Sequence, residues 1–160
     1  MLSYRKIETG DDPHIASIIR ANLKKLQLDI PGTAYYDPEL DRLSTYYNSE
    51  PEKRVYYIAL DKDNRVVGGV GIAEFNGFAH CAELQKLYLD DSVKGRGYGK
   101  ELILLAELWA KSAGYKKLYL ETHTNLVTAI KLYEKSGFHQ IDRPDGAVHG
   151  TMNLFYMKNL

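Results

Sequence analysis

Hydrophobic residues along the chain follow two spacings, and the change from one spacing to the other marks out the predicted elements. Runs rich in Val, Ile, Leu and Tyr predict strands, whereas apolar side chains repeated every three or four residues predict helices. The predicted strands lie at about residues 2–7, 55–60, 65–75, 80–89, 116–121, 138–142 and 151–157, and the predicted helices at about 12–23, 38–47, 100–113 and 125–136. In chain order these elements read βααβββαβαββ.

The connections between the elements indicate how the strands pair. Asp61–Asn64 is a turn tetrapeptide between two strands, and Asn76–Gly77 is a second hairpin signal. We therefore expect an α/β sandwich around a mixed, mostly antiparallel sheet of about seven strands, flanked by about four helices. For the helix that ends at Gly114, the spacing predicts an exposed Glu107–Lys111 pair. The inward face predicted for this helix consists of Leu102, Leu105, Ala106, Trp109 and Ala113.

Composition narrows the class of protein. The 160 residues include 21 Lys and Arg and 21 Asp and Glu, so the formal net charge is zero, and 44% of the residues are hydrophobic. This balance predicts one globular domain over residues 1–160, without the basic excess typical of nucleic-acid binding. No stretch predicts a membrane segment or a signal peptide, so we expect a cytoplasmic protein. The single cysteine, Cys81, excludes an intramolecular disulfide and any multi-cysteine metal site.

The strongest chemical signal is a glycine-rich loop between a predicted strand and a predicted helix, Val93-Lys-Gly-Arg-Gly-Tyr-Gly-Lys100. Glycines let successive backbone N–H groups turn toward one concavity, and the N-terminus of the helix adds a partial positive charge. Lys94, Arg96 and Lys100 add formal charges beside them. The loop therefore predicts binding of an anion, most naturally phosphate or pyrophosphate. An ordinary glycine turn with solvated cations is the alternative.

Two familiar phosphate-binding loops do not fit this pattern. A dinucleotide-binding fingerprint requires a glycine three residues after Gly97, where the chain has Lys100. A P-loop requires a glycine five residues before Gly99 and a Ser or Thr after the lysine, but Lys94 and Glu101 occupy those positions. Neither NAD nor ATP is therefore supported as a ligand.

The loop resembles the acetyl-CoA motif of the GNAT superfamily of N-acetyltransferases, Gln/Arg-x-x-Gly-x-Gly/Ala. The matching residues are Lys94-x-x-Gly97-x-Gly99, with lysine in place of the usual Gln or Arg. A second family motif, Asn-x-x-Ala-x-x-Leu-Tyr-x-x-x-Gly-Phe, is matched at Ala129, Leu132, Tyr133, Gly137 and Phe138. Its asparagine position falls on Leu126, one residue after Asn125. The motif therefore leaves open whether Asn125 contacts the pantetheine arm or caps its helix.

The resemblance implies direct transfer of an acetyl group from acetyl-CoA to a primary amine in a ternary complex. Glu83 is similar to the family's glutamate in the strand before the loop, which would accept the amine proton. The alternative for Glu83 is a solvated carboxylate or an ion pair with Lys86 or Lys116. Tyr133 matches the family's tyrosine that protonates the leaving thiolate, and a core aromatic residue is the alternative for it.

The resemblance also implies which residues bind the donor. A bulge in the strand before the loop would free backbone N–H groups for the thioester carbonyl and the pantetheine amides, and the loop itself would bind the pyrophosphate. The expected donor-binding residues are Leu87, Tyr88, Leu89, Lys94, Gly95, Arg96, Gly97, Tyr98, Gly99, Lys100 and Asn125. Acetyl-CoA is expected as a co-substrate, and no metal is expected.

The acceptor is expected near the segment between the first two helices, where the family places its acceptor-binding elements. Tyr35, Tyr36, Asp37 and Tyr47 occur there, and acidic and aromatic side chains suit a cationic amine; a solvated surface loop is the alternative. The acceptor is expected to be a small-molecule or peptide amine, and a homodimer is one expectation because relatives often dimerise. A non-catalytic sensor of acyl-CoA with the same fold is the second hypothesis.

Overall fold

The computed structural model describes all residues from 1 to 160. Its strands are β1 (Ser3–Lys6), β2 (Val55–Leu60), β3 (Val66–Phe75), β4 (Cys81–Leu89), β5 (Lys117–Thr122), β6 (His139–Ile141) and β7 (Leu154–Asn159). Its α-helices are α1 (Asp12–Lys25), α2 (Leu43–Asn48), α3 (Tyr98–Ser112) and α4 (Val127–Lys135). Single turns of 3-10 helix occur at Thr9–Asp11, Ala34–Tyr36, Leu40–Arg42 and Asp91–Val93.

The seven strands form one sheet in the order β1-β2-β3-β4-β5-β7-β6. Every neighbouring pair is antiparallel except β4 and β5, which are parallel and are connected through α3. The predicted mixed, mostly antiparallel sheet with four helices is therefore confirmed. The β2–β3 turn forms where predicted because the Asp61 carboxylate accepts hydrogen bonds from the backbone of Asp63 and Arg65.

Helices cover both faces of the sheet, and strand alternation divides the core between them. On β2, Tyr56, Ile58 and Leu60 pack in the cluster that contains residues of α1 and α2. Val55 and Ala59 point to the opposite face and pack in the cluster that contains residues of α3 and α4. The sheet is thus the middle layer between two apolar cores.

The buried face of α3 differs from the predicted one. Its buried residues are Leu102, Ile103, Ala106, Glu107 and Ala110. Glu107, predicted to pair with Lys111 in solvent, instead accepts a hydrogen bond from Lys158 Nζ of β7 at 2.7 Å, and Ala113 is exposed. Apolar residues occur on all sides of this helix, including the exposed Leu108. Helical spacing alone therefore does not define the inward face, which is set by packing of α3 against β3 and β4.

The later elements are shifted by a few residues from their predicted positions. Helix α4 begins at Val127 rather than at Asn125, and β7 begins at Leu154 rather than at 151. Thr151 is instead part of the β6–β7 loop: its backbone N–H donates to the Gly32 carbonyl at 3.1 Å, and its hydroxyl donates to Pro31 at 2.6 Å. The β6–β7 loop therefore lies against the segment between α1 and α2.

Candidate active site

A cleft opens where β4 and β5 separate. The two strands pair only between Cys81–Glu83 and Lys117–Tyr119. A bulge in β4 accompanies this separation, since the β3–β4 register slips between Gly69 and Gly71 and Lys86 has a positive φ of 48°. The resulting cleft has a volume of about 780 Å³.

Most residues predicted to bind the donor line this cleft. The lining includes Leu87, Tyr88, Leu89, Lys94, Gly95, Gly97, Gly99, Lys100 and Asn125. Arg96 and Tyr98 do not belong to the lining. Arg96 is exposed, and Tyr98, the first residue of α3, packs against the apolar core on the α3 side of the sheet. The two residues predicted to react with the substrates, Glu83 and Tyr133, also line the cleft.

The glycine loop forms one end of the cleft. Gly95 and Gly97 have φ values of 75° and 86°, which side-chain-bearing residues rarely adopt, and Gly97 directly precedes α3. The backbone N–H groups of residues 95–100 donate no hydrogen bond to other backbone groups, as expected at the start of a helix. A Cβ on Gly95 or Gly97 would have no neighbour within 4 Å. The loop therefore presents free N–H groups and a helix N-terminus to open space, which suits an anion.

Lysine side chains make this end of the cleft positive. Lys94 Nζ lies 2.7 Å from Asp91 Oδ1 and also donates to Asn22 Oδ1. Asp91 pairs in addition with Lys25 Nζ at 2.7 Å, and Lys100 lines the same region. Among the residues that line this end of the cleft, three lysines face one aspartate, and this positive excess favours a ligand with several negative charges.

Asn125 does not cap α4. The helix is preceded by Leu126 without a capping side chain, and Asn125 Nδ2 donates instead to the Leu26 carbonyl at 3.0 Å. This bond connects the start of α4 to the end of α1 at the wall of the cleft. The sequence left two roles open for Asn125, and of these the capping of α4 does not occur.

Glu83 is buried at the point where β4 and β5 separate. The residue is 7% exposed, and Gln85 Nε2 donates a hydrogen bond to its Oε1 at 2.6 Å. Burial raises the pKa of Glu83 to about 7. Among the smaller influences on this pKa, the carboxylate of Glu121 raises it, and Gln85, His149 and Lys86 lower it. A carboxyl group with such a pKa exchanges its proton near neutral pH, as a general base must.

No lysine forms an ion pair with Glu83. One structural alternative for this residue, a pair with Lys86 or Lys116, is therefore absent. The other alternative, a solvated carboxylate, does not apply to a side chain so deeply buried. Glu83 is instead a buried titratable group that opens onto a cleft.

Tyr133 reaches the cleft from α4. The residue is buried, and its ring packs edge-on against Phe138 at a centroid distance of 6.0 Å. Its hydroxyl has no hydrogen-bond partner and is not sealed from solvent. Burial raises the pKa of Tyr133 well above its ordinary value. The phenol therefore keeps its proton at neutral pH and is able to donate it.

A group of charged side chains, here called the charged network, occupies the end of the cleft away from the glycine loop. Lys86 Nζ lies 2.7 Å from Asp37 Oδ2 and 3.5 Å from Glu39 Oε1. His149 Nε2 lies 2.7 Å from Asp37 Oδ1, and its Nδ1 lies 3.6 Å from Glu121 Oε1. The network thus joins the segment after α1, strands β4 and β5, and the β6–β7 loop.

Hydrogen bonding outweighs burial within the charged network. Burial alone would lower the pKa of His149, but its hydrogen bonds with Asp37 and Glu121 raise that pKa to about 9. Burial would likewise raise the pKa of Asp37, but His149 and Lys86 lower it below its ordinary value. At neutral pH His149 is therefore an imidazolium and Asp37 a carboxylate.

The other residues predicted to bind the acceptor lie elsewhere. Tyr36 is 60% exposed, the tilted ring of Tyr35 lies beside it at a centroid distance of 5.2 Å, and neither residue lines the cleft. Tyr47 is fully buried below the cleft, although its hydroxyl reaches Gln85 Oε1 at 2.7 Å. Of these residues, Asp37 contacts Lys86 and His149 of the cleft, and Tyr47 contacts Gln85.

Glu121 and His149 were not among the predicted site residues. Strand alternation does place Glu121 on the same face of β5 as the buried Tyr119, so a carboxylate at an inward strand position was an available signal. His149 lies in a loop whose path depends on contacts with Pro31 and Gly32. No local pattern in the sequence marks such a residue.

This geometry places an anion-binding loop, a buried carboxyl group and a proton-bearing phenol along one cleft, as a group-transfer enzyme with a phosphate-bearing donor requires. The model of the acetyltransferase (GNAT) family matches residues 21–138. The chain therefore belongs to the GNAT family and is an N-acetyltransferase of that family. The fold family and enzyme class that the sequence predicted are confirmed.

Relatives agree with this assignment. The chain is similar to the uncharacterized N-acetyltransferase YjgM of Escherichia coli K12, with 39% identity over 140 residues, which cover 86% of this chain and 82% of that protein. A GNAT-family acetyltransferase of Staphylococcus aureus Mu50 has a TM-score of 0.89 at 19% identity, over 100% of this chain and 99% of that chain. The PaiA N-acetyltransferase of Thermoplasma acidophilum, solved with coenzyme A, has a TM-score of 0.72 at 21% identity, over 100% and 99%. At these identities the two structures support the fold alone.

No group of three or more His, Cys, Asp or Glu side chains is arranged to hold a metal ion. None of the helices combines the length and the apolar character needed to cross a bilayer.

Proposed function

We propose that this chain transfers the acetyl group of acetyl-CoA directly to a positively charged primary amine within a ternary complex. The observation that carries the proposal is the position of Glu83, a buried carboxyl group with a pKa of about 7, in the same cleft as the glycine loop. A single seven-stranded sheet contains strands from both ends of the sequence. This supports the proposal that residues 1–160 act as one acetyltransferase domain.

The donor end of the cleft fits acetyl-CoA. The free N–H groups of residues 95–100 and the neighbouring Lys94 and Lys100 would hold the pyrophosphate. The β4 segment from Leu87 to Leu89 and the side chain of Asn125 would contact the pantetheine arm. Bound there, acetyl-CoA supplies an activated thioester to the middle of the cleft.

Glu83 would remove the proton of the acceptor. A lysine-like amine has a pKa of about 10.4, so almost all of it is protonated and unreactive at neutral pH. Glu83 changes its own protonation state near pH 7, and one of its oxygens already accepts a hydrogen bond from Gln85. The other oxygen is left for the amine or for a bridging water.

Tyr133 would donate a proton to the departing thiolate. Its hydroxyl is protonated at neutral pH, unpartnered and open to the cleft. Backbone N–H groups of the β4 bulge would bind the carbonyl oxygen of the thioester as it gains negative charge. The carboxyl group and the phenol thus serve two different proton transfers in one reaction.

The charged network supports a cationic acceptor. Its three carboxyl groups outnumber the ammonium of Lys86 and the imidazolium of His149. Each of these two cations already has a carboxylate oxygen of Asp37 at 2.7 Å. Partial ionisation of Glu83 adds further negative charge. An amine that carries a carboxylate beside the nitrogen would therefore be repelled, whereas a simple ammonium would be attracted.

Matched pairs of acceptors test this charge argument. Tyramine and tyrosine, and likewise ethanolamine and serine, each contain one amine and differ in the carboxylate beside it. Release of the CoA thiol measures kcat/KM for each compound. We expect at least about a tenfold preference for the member without the carboxylate in any pair that reacts. Equal or greater kcat/KM for the amino acids would contradict the proposed acceptor class.

The second hypothesis, a non-catalytic acyl-CoA sensor, predicts binding without turnover. Saturation at about a hundred times the Kd should stabilise the fold by about 2.7 kcal/mol, so acetyl-CoA should raise the melting temperature by several degrees, whereas NADH and ATP should not. Binding accompanied by thiol release supports the enzyme, and binding without release from any amine supports the sensor. No shift with acetyl-CoA would contradict both.

A further inference from the structure

Two buried tyrosines reach strand β4 from the α1–α2 side of the sheet. Tyr47 of α2 and Tyr56 of β2 are fully buried, and their ring centroids are 5.1 Å apart. A Cβ on Gly71 would collide with the Tyr47 hydroxyl, and a Cβ on Gly69 would collide with the Tyr56 ring. Because these two positions of β3 carry no side chain, both phenol groups pass across β3 to its neighbour.

The Tyr47 hydroxyl controls the orientation of a side-chain amide next to Glu83. It donates a hydrogen bond to Gln85 Oε1 at 2.7 Å, and Gln85 Nε2 donates to Glu83 Oε1 at 2.6 Å. An ionised carboxylate is only an acceptor, so the amide must present its NH₂ group to Glu83 and its oxygen to Tyr47. The phenol thereby keeps the amide in the one orientation that supports the carboxylate.

The Tyr56 hydroxyl contacts the bulge itself. It donates to the Lys86 carbonyl at 2.8 Å, at the residue whose positive φ of 48° marks the bulge. In a trans peptide the carbonyl and the following N–H point in opposite directions. A carbonyl held toward the buried Tyr56 therefore turns the N–H of Leu87 the other way, toward the cleft that Lys86 and Leu87 line.

We infer that Tyr47 and Tyr56 are positioning residues for acetyl transfer: Tyr47 orients Glu83 through Gln85, and Tyr56 aims the Leu87 N–H at the thioester carbonyl through the Lys86 carbonyl. This inference rests on the proposed function, in which Glu83 accepts the amine proton and the bulge binds the carbonyl. Neither tyrosine touches a substrate. Gly69 and Gly71 of β3 are required for these contacts, because a side chain at either position would occupy the space of a tyrosine ring or hydroxyl.

The variant Tyr47→Phe tests the first connection through the pH profile of kcat/KM. The Gln85 hydrogen bond favours the carboxylate form of Glu83, so its loss should move the acidic limb to higher pH, by about 0.5 unit. Glu121, His149 and Lys86, the charged groups that face Glu83, are unchanged in this variant. Gln85→Leu should give the same shift, and the double variant should show no additional shift. An unmoved limb in Tyr47→Phe together with a moved limb in Gln85→Leu would overturn this role of Tyr47.

The variant Tyr56→Phe tests the second connection through a different readout. We expect kcat to fall about tenfold at every pH, with the acidic limb unmoved, because one electrostatic donor is less well aimed. Its Kd for acetyl-CoA should rise more than its Kd for CoA, which has no thioester carbonyl. Tyr115→Phe is the matched control, since that hydroxyl also donates to a backbone carbonyl, of Lys53 at 2.9 Å, away from the cleft. Identical behaviour of Tyr56→Phe and Tyr115→Phe would overturn this role of Tyr56.

Failure of the proposed function would be distinguishable from failure of this inference. If the wild-type protein acetylated no amine, the proposed function would be wrong, but two measurements without turnover would still decide the roles of the tyrosines. Isotope-edited infrared titration of the Glu83 carboxyl group measures the effect of Tyr47→Phe. The ratio of the Kd values for acetyl-CoA and CoA measures the effect of Tyr56→Phe.

Discussion

Replacement of Glu83 by Gln should remove most of the activity and at the same time stabilise the fold at alkaline pH. Glutamine has nearly the same size and can still accept the hydrogen bond from Gln85 Nε2, but it carries no charge. The native carboxyl group, by contrast, lacks in its ionised form the hydration that it would have in the unfolded chain, because it is buried in the folded protein. Function and stability should therefore change in opposite directions in this variant.

The magnitude follows from the pKa. Burial raises the pKa of Glu83 from 4.5 to about 7, so the folded state binds this proton more tightly than the unfolded state does. The free energy of unfolding therefore decreases as the pH rises from about 4.5 to about 7 and stays lower above that range. A difference of about 2.5 pH units corresponds to at most about 3 kcal/mol. Glu83→Gln avoids this cost, and its advantage disappears below about pH 4.

Urea unfolding of the wild type and of Glu83→Gln at pH 5 and pH 8.5 measures the effect. The advantage of the variant should be small at pH 5 and should approach about 3 kcal/mol at pH 8.5, or roughly 6–12 °C in Tm. Glu52→Gln, at an exposed position outside the cleft, should show no such advantage. Thiol release by Glu83→Gln should be slower by about 10²-fold or more. Equal stability at pH 8.5 would refute the argument from burial, and full activity would refute the role of Glu83 as a base.

Three further changes have defined outcomes. Tyr133→Phe should lower kcat by about 10²-fold with an unchanged KM for acetyl-CoA, because the phenol is needed only as the thiolate departs; an unchanged kcat in the thiol-release assay would exclude this role. Gly97→Ala should weaken CoA binding in calorimetry, because a left-handed residue with a side chain costs about 1–2 kcal/mol; Gly114→Ala, which has φ of 92° beyond the other end of α3, should fold less stably but bind CoA normally. His149→Gln should be less stable than the wild type at pH 6, where the raised His149 pKa of about 9 contributes fully. That difference should vanish by about pH 10 in melting experiments, and a constant difference would contradict the pairing with Asp37.

The features that could be predicted from the sequence are those encoded by neighbouring residues. The order of strands and helices follows from hydrophobic spacing, and the β2–β3 turn follows from the side-chain hydrogen bonds of Asp61. The glycine loop could be recognised from the spacing of its glycines. Glycine is required at positions 95 and 97 because their backbone adopts positive φ values that other residues avoid. Glu83, by contrast, was predicted through its resemblance to the family's glutamate in the strand before the glycine loop.

Tertiary structure decided the features that depend on residues far apart in the chain. Asp37 and His149 are separated by 112 positions yet are in hydrogen-bond contact, and Glu107 of α3 pairs with Lys158 of β7, which lies 51 positions later in the chain. The raised pKa of Glu83 is also a product of packing, because desolvation exists only once the surrounding elements exclude water. Local sequence determines which conformations each segment prefers. Protonation states, burial and the geometry of the site arise only when distant segments pack together and exclude water.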